Sequence, residues 1–84
     1  PTPTYSFLED PIEDITHIVI NDGLASGVVF RYGRVRFDPG YSLRVSFDYK
    51  VVRNPALLTD QQIKPIIISI LDDILKKESY DGQN

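Results

Sequence analysis

The sequence predicts a mainly β domain that borders on the α+β class. Its expected architecture is a small, strongly bent antiparallel sheet or open barrel of four to five strands, with one C-terminal amphipathic helix. Three observations support this fold class. Residues 43–51 alternate apolar and polar side chains, as a half-buried strand does. Turn-forming residues at 21–23 and 38–41 separate further β-prone runs. Isoleucine and leucine recur between residues 63 and 75 at helical spacing.

A single domain is expected to span residues 1–84, with an extended N-terminal arm over 1–8 and a frayed polar tail over 79–84. A chain of this length buries only about 60–65% of its unfolded surface, so its core is marginal. It has no cysteine, and therefore no disulfide can supplement that core. Self-association is the expected supplement. The sequence Asp10-Pro11-Ile12-Glu13 predicts a single capped helical turn after the arm.

Strands are predicted at residues 15–20, 26–32, 34–38 and 43–52. Gly27 is expected to mark a bend or the close approach of another backbone. Apolar residues are at even positions before Gly33 and at odd positions after it, which predicts a turn or a bulge there. Pro39 and Gly40 predict a type II turn into the last strand.

The C-terminal helix is predicted over residues 59–77. Thr59 and Gln62 have the spacing of a capping box, and Leu58 and Ile63 that of a hydrophobic staple. Pro65 predicts either a kink or a helix that begins at that residue.

Charge is unevenly distributed along the chain, whose net charge is −3. Acidic residues crowd positions 9–14 and 72–73, whereas the central β-rich segment carries most of the arginines. This segregation suggests an anionic partner, although strands with one solvated face also carry such residues. No apolar run is long enough to cross a bilayer, so a cytoplasmic protein without membrane contact is expected, in the host cytoplasm if the chain is phage-borne.

An enzyme is not expected. His17 is the only histidine and has no cysteine beside it, so the usual donors of a transition-metal site are absent, and a partly buried strand histidine is the better interpretation. Adjacent carboxylates, as at 72–73, point in different directions on a helix. No nucleophile, phosphate-binding glycine motif, cofactor site or small-molecule substrate is indicated.

Basic and aromatic residues around the two predicted turns are the candidate binding residues. Cations and aromatic rings at loops are the combination that single-stranded nucleic acid uses, phosphates on arginine and bases on rings. The alternative is that the tyrosines close the ends of the barrel and the arginines are merely solvated. The predicted nucleic-acid-binding residues are Arg31, Tyr32, Arg34, Arg36, Tyr41 and Arg44.

The run Ile18-Val19-Ile20-Asn21-Asp22-Gly23 is followed by Gly27-Val28-Val29-Phe30. This pattern is similar to the first motif of the Sm/LSm proteins, small bent β-barrels that assemble into rings and bind RNA, and the resemblance extends over residues 8–52. The chain departs from the family where Gly33 stands in place of its base-contacting Asp, and where Asp48-Tyr49 replaces its Arg-Gly. The resemblance implies a ring of subunits joined by edge strands, without the family's uridine pocket.

Three hypotheses remain open at this level. The first is a ring-forming homo-oligomer that binds single-stranded RNA or DNA through the two loops. The second is a structural or assembly protein, such as a phage virion or morphogenesis component, that uses sheet edges and helix for protein contacts only. The third is a monomeric α+β domain whose helix packs on a four-stranded meander.

Overall fold

A computed structural model describes the backbone of residues 2–39 and 43–82, and the side chains of residues 2–36 and 46–77. Within these residues the chain forms four strands and one helix: β1 (Tyr5–Asp10), β2 (Ile15–Ile20), β3 (Val29–Pro39), β4 (Leu43–Arg53) and α1 (Asp60–Gly82). All neighbouring strands are antiparallel, in the order β1-β2-β3-β4. The predicted fold class is confirmed, and the sheet is an open meander that does not close into a barrel.

The core lies between one face of the sheet and the apolar side of α1. Period-two alternation along the strands and the helical spacing of isoleucine turn these side chains toward each other. Tyr5, Phe47, Tyr49 and Val51 are partly buried against this core. The buried core residues are Ile18, Ile20, Ala25, Val28, Phe30, Ile63, Ile67, Ile70 and Leu71. The opposite face of the sheet, called the open face below, is not covered by α1.

The N-terminal segment, predicted as an extended arm over residues 1–8, joins the sheet from Tyr5 onward, where β1 begins. Tyr5 pairs with Ile20 and Phe7 with Ile18 in the β1–β2 register. A proline restricts only itself and the residue before it, so Pro3 leaves the following residues free to pair. The single turn after β1 is confirmed: the Asp14 amide donates to the Asp10 carbonyl at 2.8 Å.

The strand predicted at 26–32 begins at Val29, because a turn occupies the residues just before it. Gly27 has a φ of +90°, and a Cβ there would lie 2.9 Å from the Pro55 Cγ. The glycine therefore marks a bend, as predicted, but the group that approaches it is a proline ring rather than backbone. The strands predicted at 26–32 and 34–38 are one continuous strand, β3.

The capping box at the start of α1 is confirmed. The Gln62 amide donates to the Thr59 hydroxyl at 3.3 Å, and the Thr59 amide donates to the Gln62 side-chain oxygen at 2.9 Å. The helix begins at Asp60 and contains Pro65, so the alternative start at Pro65 is wrong. The helix continues past its predicted end at residue 77 to Gly82, so the first four residues of the predicted tail are helical. No proline or glycine interrupts the chain between Pro65 and Gly82, so the sequence has no strong stop signal before then.

Candidate nucleic-acid interface

Three of the predicted binding residues, Arg31, Arg34 and Arg36, lie along β3 on the open face. Arg31 falls between Phe30, which is fully buried under α1, and Tyr32, which packs against the same core. Since successive side chains in a strand point to opposite faces, Arg31 faces away from the helix. Arg34 and Arg36 are both exposed.

A β-bulge at Gly33 places Arg36 on the same face as Arg31. Tyr32 pairs with Tyr49 and Val35 pairs with Phe47. The single residue Asp48 therefore lies opposite two residues of β3, Gly33 and Arg34, so β3 has one extra residue here. Without this extra residue, strand alternation would put Arg36 on the face of Tyr32, against the helix. A Cβ on Gly33 would lie 3.2 Å from the Asp48 Cβ, which explains why glycine suits the position.

Two further cations come from β4. Lys50 pairs with Arg31. A second register shift, between Val29 and Phe30, makes Val52 an extra residue of β4, so Arg53 pairs with Val29 and shares its face. Like charges directly opposite each other across two strands destabilise a sheet by a few tenths of a kcal/mol to about 1 kcal/mol. An anion bound between Arg31 and Lys50 removes that repulsion. The five cationic residues of this face, called the basic row below, are Arg31, Arg34, Arg36, Lys50 and Arg53.

No ion pair neutralises the basic row within the described side chains. The two salt bridges found there both lie on α1, between Lys76 and Asp72 at 2.9 Å and between Lys77 and Asp73 at 3.1 Å. Asp48 is on the open face beside Arg34 and lines a cleft of about 630 Å³ with it, but forms no salt bridge with any side chain that the structure describes. The row therefore keeps a net positive charge toward solvent, although the whole chain is acidic.

Tyr32 lies on the other face of the sheet from the arginines, so its predicted position at a loop is wrong. Its hydroxyl donates a 2.6 Å hydrogen bond to the Ile67 carbonyl oxygen of α1. Its ring meets Phe30 and Phe47 edge-on, with centroids 5.3 and 5.6 Å apart. Burial raises the pKa of the Tyr32 phenol far above its ordinary value. Gly33 is inside a strand, and this strand turns Tyr32 into the core.

The side chains of the other two predicted residues, Tyr41 and Arg44, are not among those that the structure describes. Tyr41 and the type II turn predicted around it lie outside the described residues. Arg44 has a described backbone, which pairs with Asp38, but its side chain is not among those described. Lys50 and Arg53 are not among the binding residues predicted from the sequence, although the alternation in residues 43–51 puts Lys50 on the polar side of its strand. Only the register shows that Lys50 meets Arg31.

The remaining chemistry of the described residues is limited. They contain no group of three or more His, Cys, Asp or Glu side chains that could hold a metal ion. No helix in the described part of the chain has the length and apolar character needed to cross a membrane. A second titratable cluster links β1 to α1: the Tyr5 hydroxyl donates to Asp73 at 2.6 Å, and the Lys77 ammonium lies 5.4 Å from the Tyr5 ring centre. It ties the N-terminal strand to the helix.

Comparisons with known family models, with curated proteins and with solved structures return no match. The similarity to Sm/LSm proteins therefore stays a hypothesis, and the open meander, bulge and basic row define the candidate site by themselves.

Proposed function

We propose that the protein is a non-enzymatic, self-associating protein that binds single-stranded RNA or DNA on the open face of its sheet, in the cytoplasm. One observation carries the proposal: five cationic side chains share that face, and no described side chain forms an ion pair with them. Phosphate contacts from arginine and lysine supply most of the affinity of sequence-independent nucleic-acid binding.

A single strand suits this surface better than a duplex does. From Arg31 to Arg36 the row extends about 16 Å along β3, at about 3.3 Å per residue, which is long enough to meet a few phosphates of one strand. A duplex is usually read by a helix or β-ribbon inserted into a groove. Proteins that bind single strands instead combine a cationic track with an exposed platform for bases, and an uncovered sheet face offers both.

Fluorescence anisotropy with a short labelled oligonucleotide, measured at several salt concentrations, tests the proposal. For single strands the logarithm of affinity falls with the logarithm of salt with a slope of about −0.7 per neutralised phosphate. Five contacts give a slope of about −3.5, and Arg31→Ala or Arg34→Ala should each make it shallower by about 0.7. Lys64→Ala is the matched control, because Lys64 is an exposed cation on α1 rather than on the sheet. Absence of binding at micromolar protein in low salt rejects the proposal.

Self-association is proposed to occur through the edges of the sheet, β1 and β4. Edge strands present unpaired backbone groups that another chain can extend. Glu9 and Asp10 end the β1 edge, whereas Lys50 and Arg53 lie on the β4 edge, so opposite charges favour β1 of one copy beside β4 of the next. Such head-to-tail contacts generate rings when the rotation closes.

Light scattering tests this part of the proposal separately. The wild type should have the mass of an oligomer, and Lys50→Glu should lower that mass while Lys64→Glu leaves it unchanged. A monomeric wild type at high protein concentration rejects edge pairing and supports the monomeric α+β alternative, whose meander topology matches the fold.

The second candidate function is a structural or assembly role, such as that of a phage virion component. Three large apolar side chains in the connections favour it: Ile12 is 92% exposed, Leu57 85% and Leu24 67%. Leu57 also adopts a φ of 55°, a left-handed conformation that is uncommon for leucine. An oligomer that binds no oligonucleotide would support this role over the first.

A further inference from the structure

A cleft crosses the open face of the sheet next to the basic row, with a volume of about 340 Å³. All four strands contribute to it: Leu8 from β1, His17 from β2, Val29 from β3, and Val52 with Arg53 from β4. Its size is at the lower end of the range for small-molecule sites, which is about 300–1,000 Å³. Its volume is therefore sufficient for one small organic group.

The walls of the cleft are apolar in a place where a solvated sheet face would carry polar residues. Leu8 is 55% exposed and Val52 is 49% exposed. Val29 lies between them on β3, and the His17 imidazole adds a flat aromatic surface. An apolar wall with an aromatic ring is the lining that accepts the face of a nucleobase.

The strand register places this cleft directly beside the cations. In the cleft, Leu8 pairs with His17 and Val29 pairs with Arg53. The next cross-strand pair on the open face, beyond Val29 and Arg53, is Arg31 with Lys50. Because Ile18 pairs with Phe30, the neighbouring residues His17 and Arg31 come together across β2 and β3. A strand whose phosphates bind Arg31 and Lys50 thus has its bases within reach of Leu8 and His17.

Acidic groups at one end of the cleft determine which part of a nucleotide enters it. Glu9 and Asp10 line the cleft at the β1 edge. One oxygen of the Asp10 carboxylate accepts hydrogen bonds from the Ile12 and Glu13 amides at 2.9 and 3.3 Å, which holds this carboxylate in place. Two carboxylates repel a phosphate but not an uncharged base. Phosphates are accordingly kept away from the β1 end of the cleft, where an uncharged base can enter, while Arg53 at the β4 end connects the cleft to the basic row.

We propose that this cleft is a base-binding subsite that takes one unstacked nucleobase of the bound single strand, flat against His17 and in contact with Leu8 and Val52. This inference rests on the proposed function, since it requires a strand held on the basic row. In this proposal the ring that stacks on a base is that of His17, because the ring of Tyr32 faces the core.

Binding of an oligothymidylate is to be compared with binding of an abasic oligodeoxynucleotide that has the same length and charge. Stacking of one base contributes about 1–3 kcal/mol, so the oligothymidylate should bind about 5-fold to 150-fold more tightly. His17→Ala and Leu8→Ala should remove most of that preference and leave the affinity for the abasic strand unchanged. Leu24→Ala is the matched control, because Leu24 is an exposed leucine in the connection between β2 and β3.

The possible results separate the two proposals. Equal affinity of the wild type for both strands overturns the base subsite and leaves phosphate binding by the row intact. A preference that survives both His17→Ala and Leu8→Ala also overturns it, since the base is then bound elsewhere. If neither strand binds at low salt, the proposed function fails and the subsite fails with it. Far-ultraviolet circular dichroism of each variant establishes that the sheet is retained.

Discussion

The packing of Gly27 against Pro55 provides a sharp test of how the connections hold the sheet. Gly27 and Gly23 both lie in the β2–β3 connection with left-handed backbone, at φ values of +90° and +79°. A Cβ at Gly27 would meet the Pro55 Cγ at 2.9 Å, whereas one at Gly23 would meet nothing within 4 Å. The collision with the proline ring is therefore the main steric difference between alanine at the two sites.

The magnitudes follow from these geometries. A left-handed conformation costs a non-glycine residue about 1–2 kcal/mol, offset by about 0.4–1 kcal/mol because alanine restricts the unfolded chain. Gly23→Ala should thus destabilise by about 0.5–1 kcal/mol. Gly27→Ala adds an overpacking cost of about 1–3 kcal/mol. The loop cannot easily move away, because the Gly27 amide donates to the Ile20 carbonyl at 2.8 Å and the Ile20 amide donates to the Val28 carbonyl at 2.9 Å.

Urea denaturation followed by circular dichroism measures both free energies of unfolding. Pro55→Ala should recover most of the additional loss when it is combined with Gly27→Ala, and should recover nothing when it is combined with Gly23→Ala. The double-mutant cycle isolates the contact between residues 27 and 55. Equal destabilisation by the two glycine substitutions, or no recovery with Pro55→Ala, would refute the reasoning.

Three further predictions concern the contacts between the sheet and α1. Ile67→Ala should cost about 2–5 kcal/mol in a urea titration, because the Ile67 side chain is fully buried in the core. Tyr32→Phe should cost about 0.5–1.5 kcal/mol through the lost hydrogen bond. Burial raises the Tyr32 pKa above its ordinary value of 10.0, so wild-type stability should fall as pH rises beyond that value, and the phenylalanine variant should lose less stability in alkaline titrations. The hydrogen bond from Tyr5 and the ammonium of Lys77 lower the pKa of Asp73. The stabilisation from these two contacts is therefore present above the ordinary carboxyl pKa of 3.8 and is lost as pH falls through the lowered pKa. Asp73→Asn should reduce this loss of stability in acid, and an unchanged dependence of stability on pH would contradict the role of Asp73.

Local patterns in the chain were sufficient for several elements. The strand at 15–20 and the Thr59–Gln62 capping box depend on neighbouring residues alone, and both are confirmed. The parity change across Gly33 indicated a turn or bulge, and the bulge in β3 is its cause. The strand β1 was missed because several of its residues are exposed and its alternation is weak, so its structure depends on pairing with β2.

The binding surface could be anticipated only in part. The arginines were identified from their concentration in the β-rich segment, but their grouping with Tyr32 around a loop was wrong. The apolar cleft that contains Leu8 and His17 was not anticipated, because those residues are nine positions apart and meet only through the β1–β2 register.

By itself the sequence determined the fold class, the helix and the positions of the charges, because hydrophobic periodicity, capping and turn chemistry act over a few residues. Only the tertiary structure decided which side chains share a surface. The direction of a strand side chain depends on which face the helix covers and on every residue that a bulge inserts. One extra residue at Gly33 therefore joins Arg36 to Arg31, while the covering helix draws Tyr32 to the opposite side.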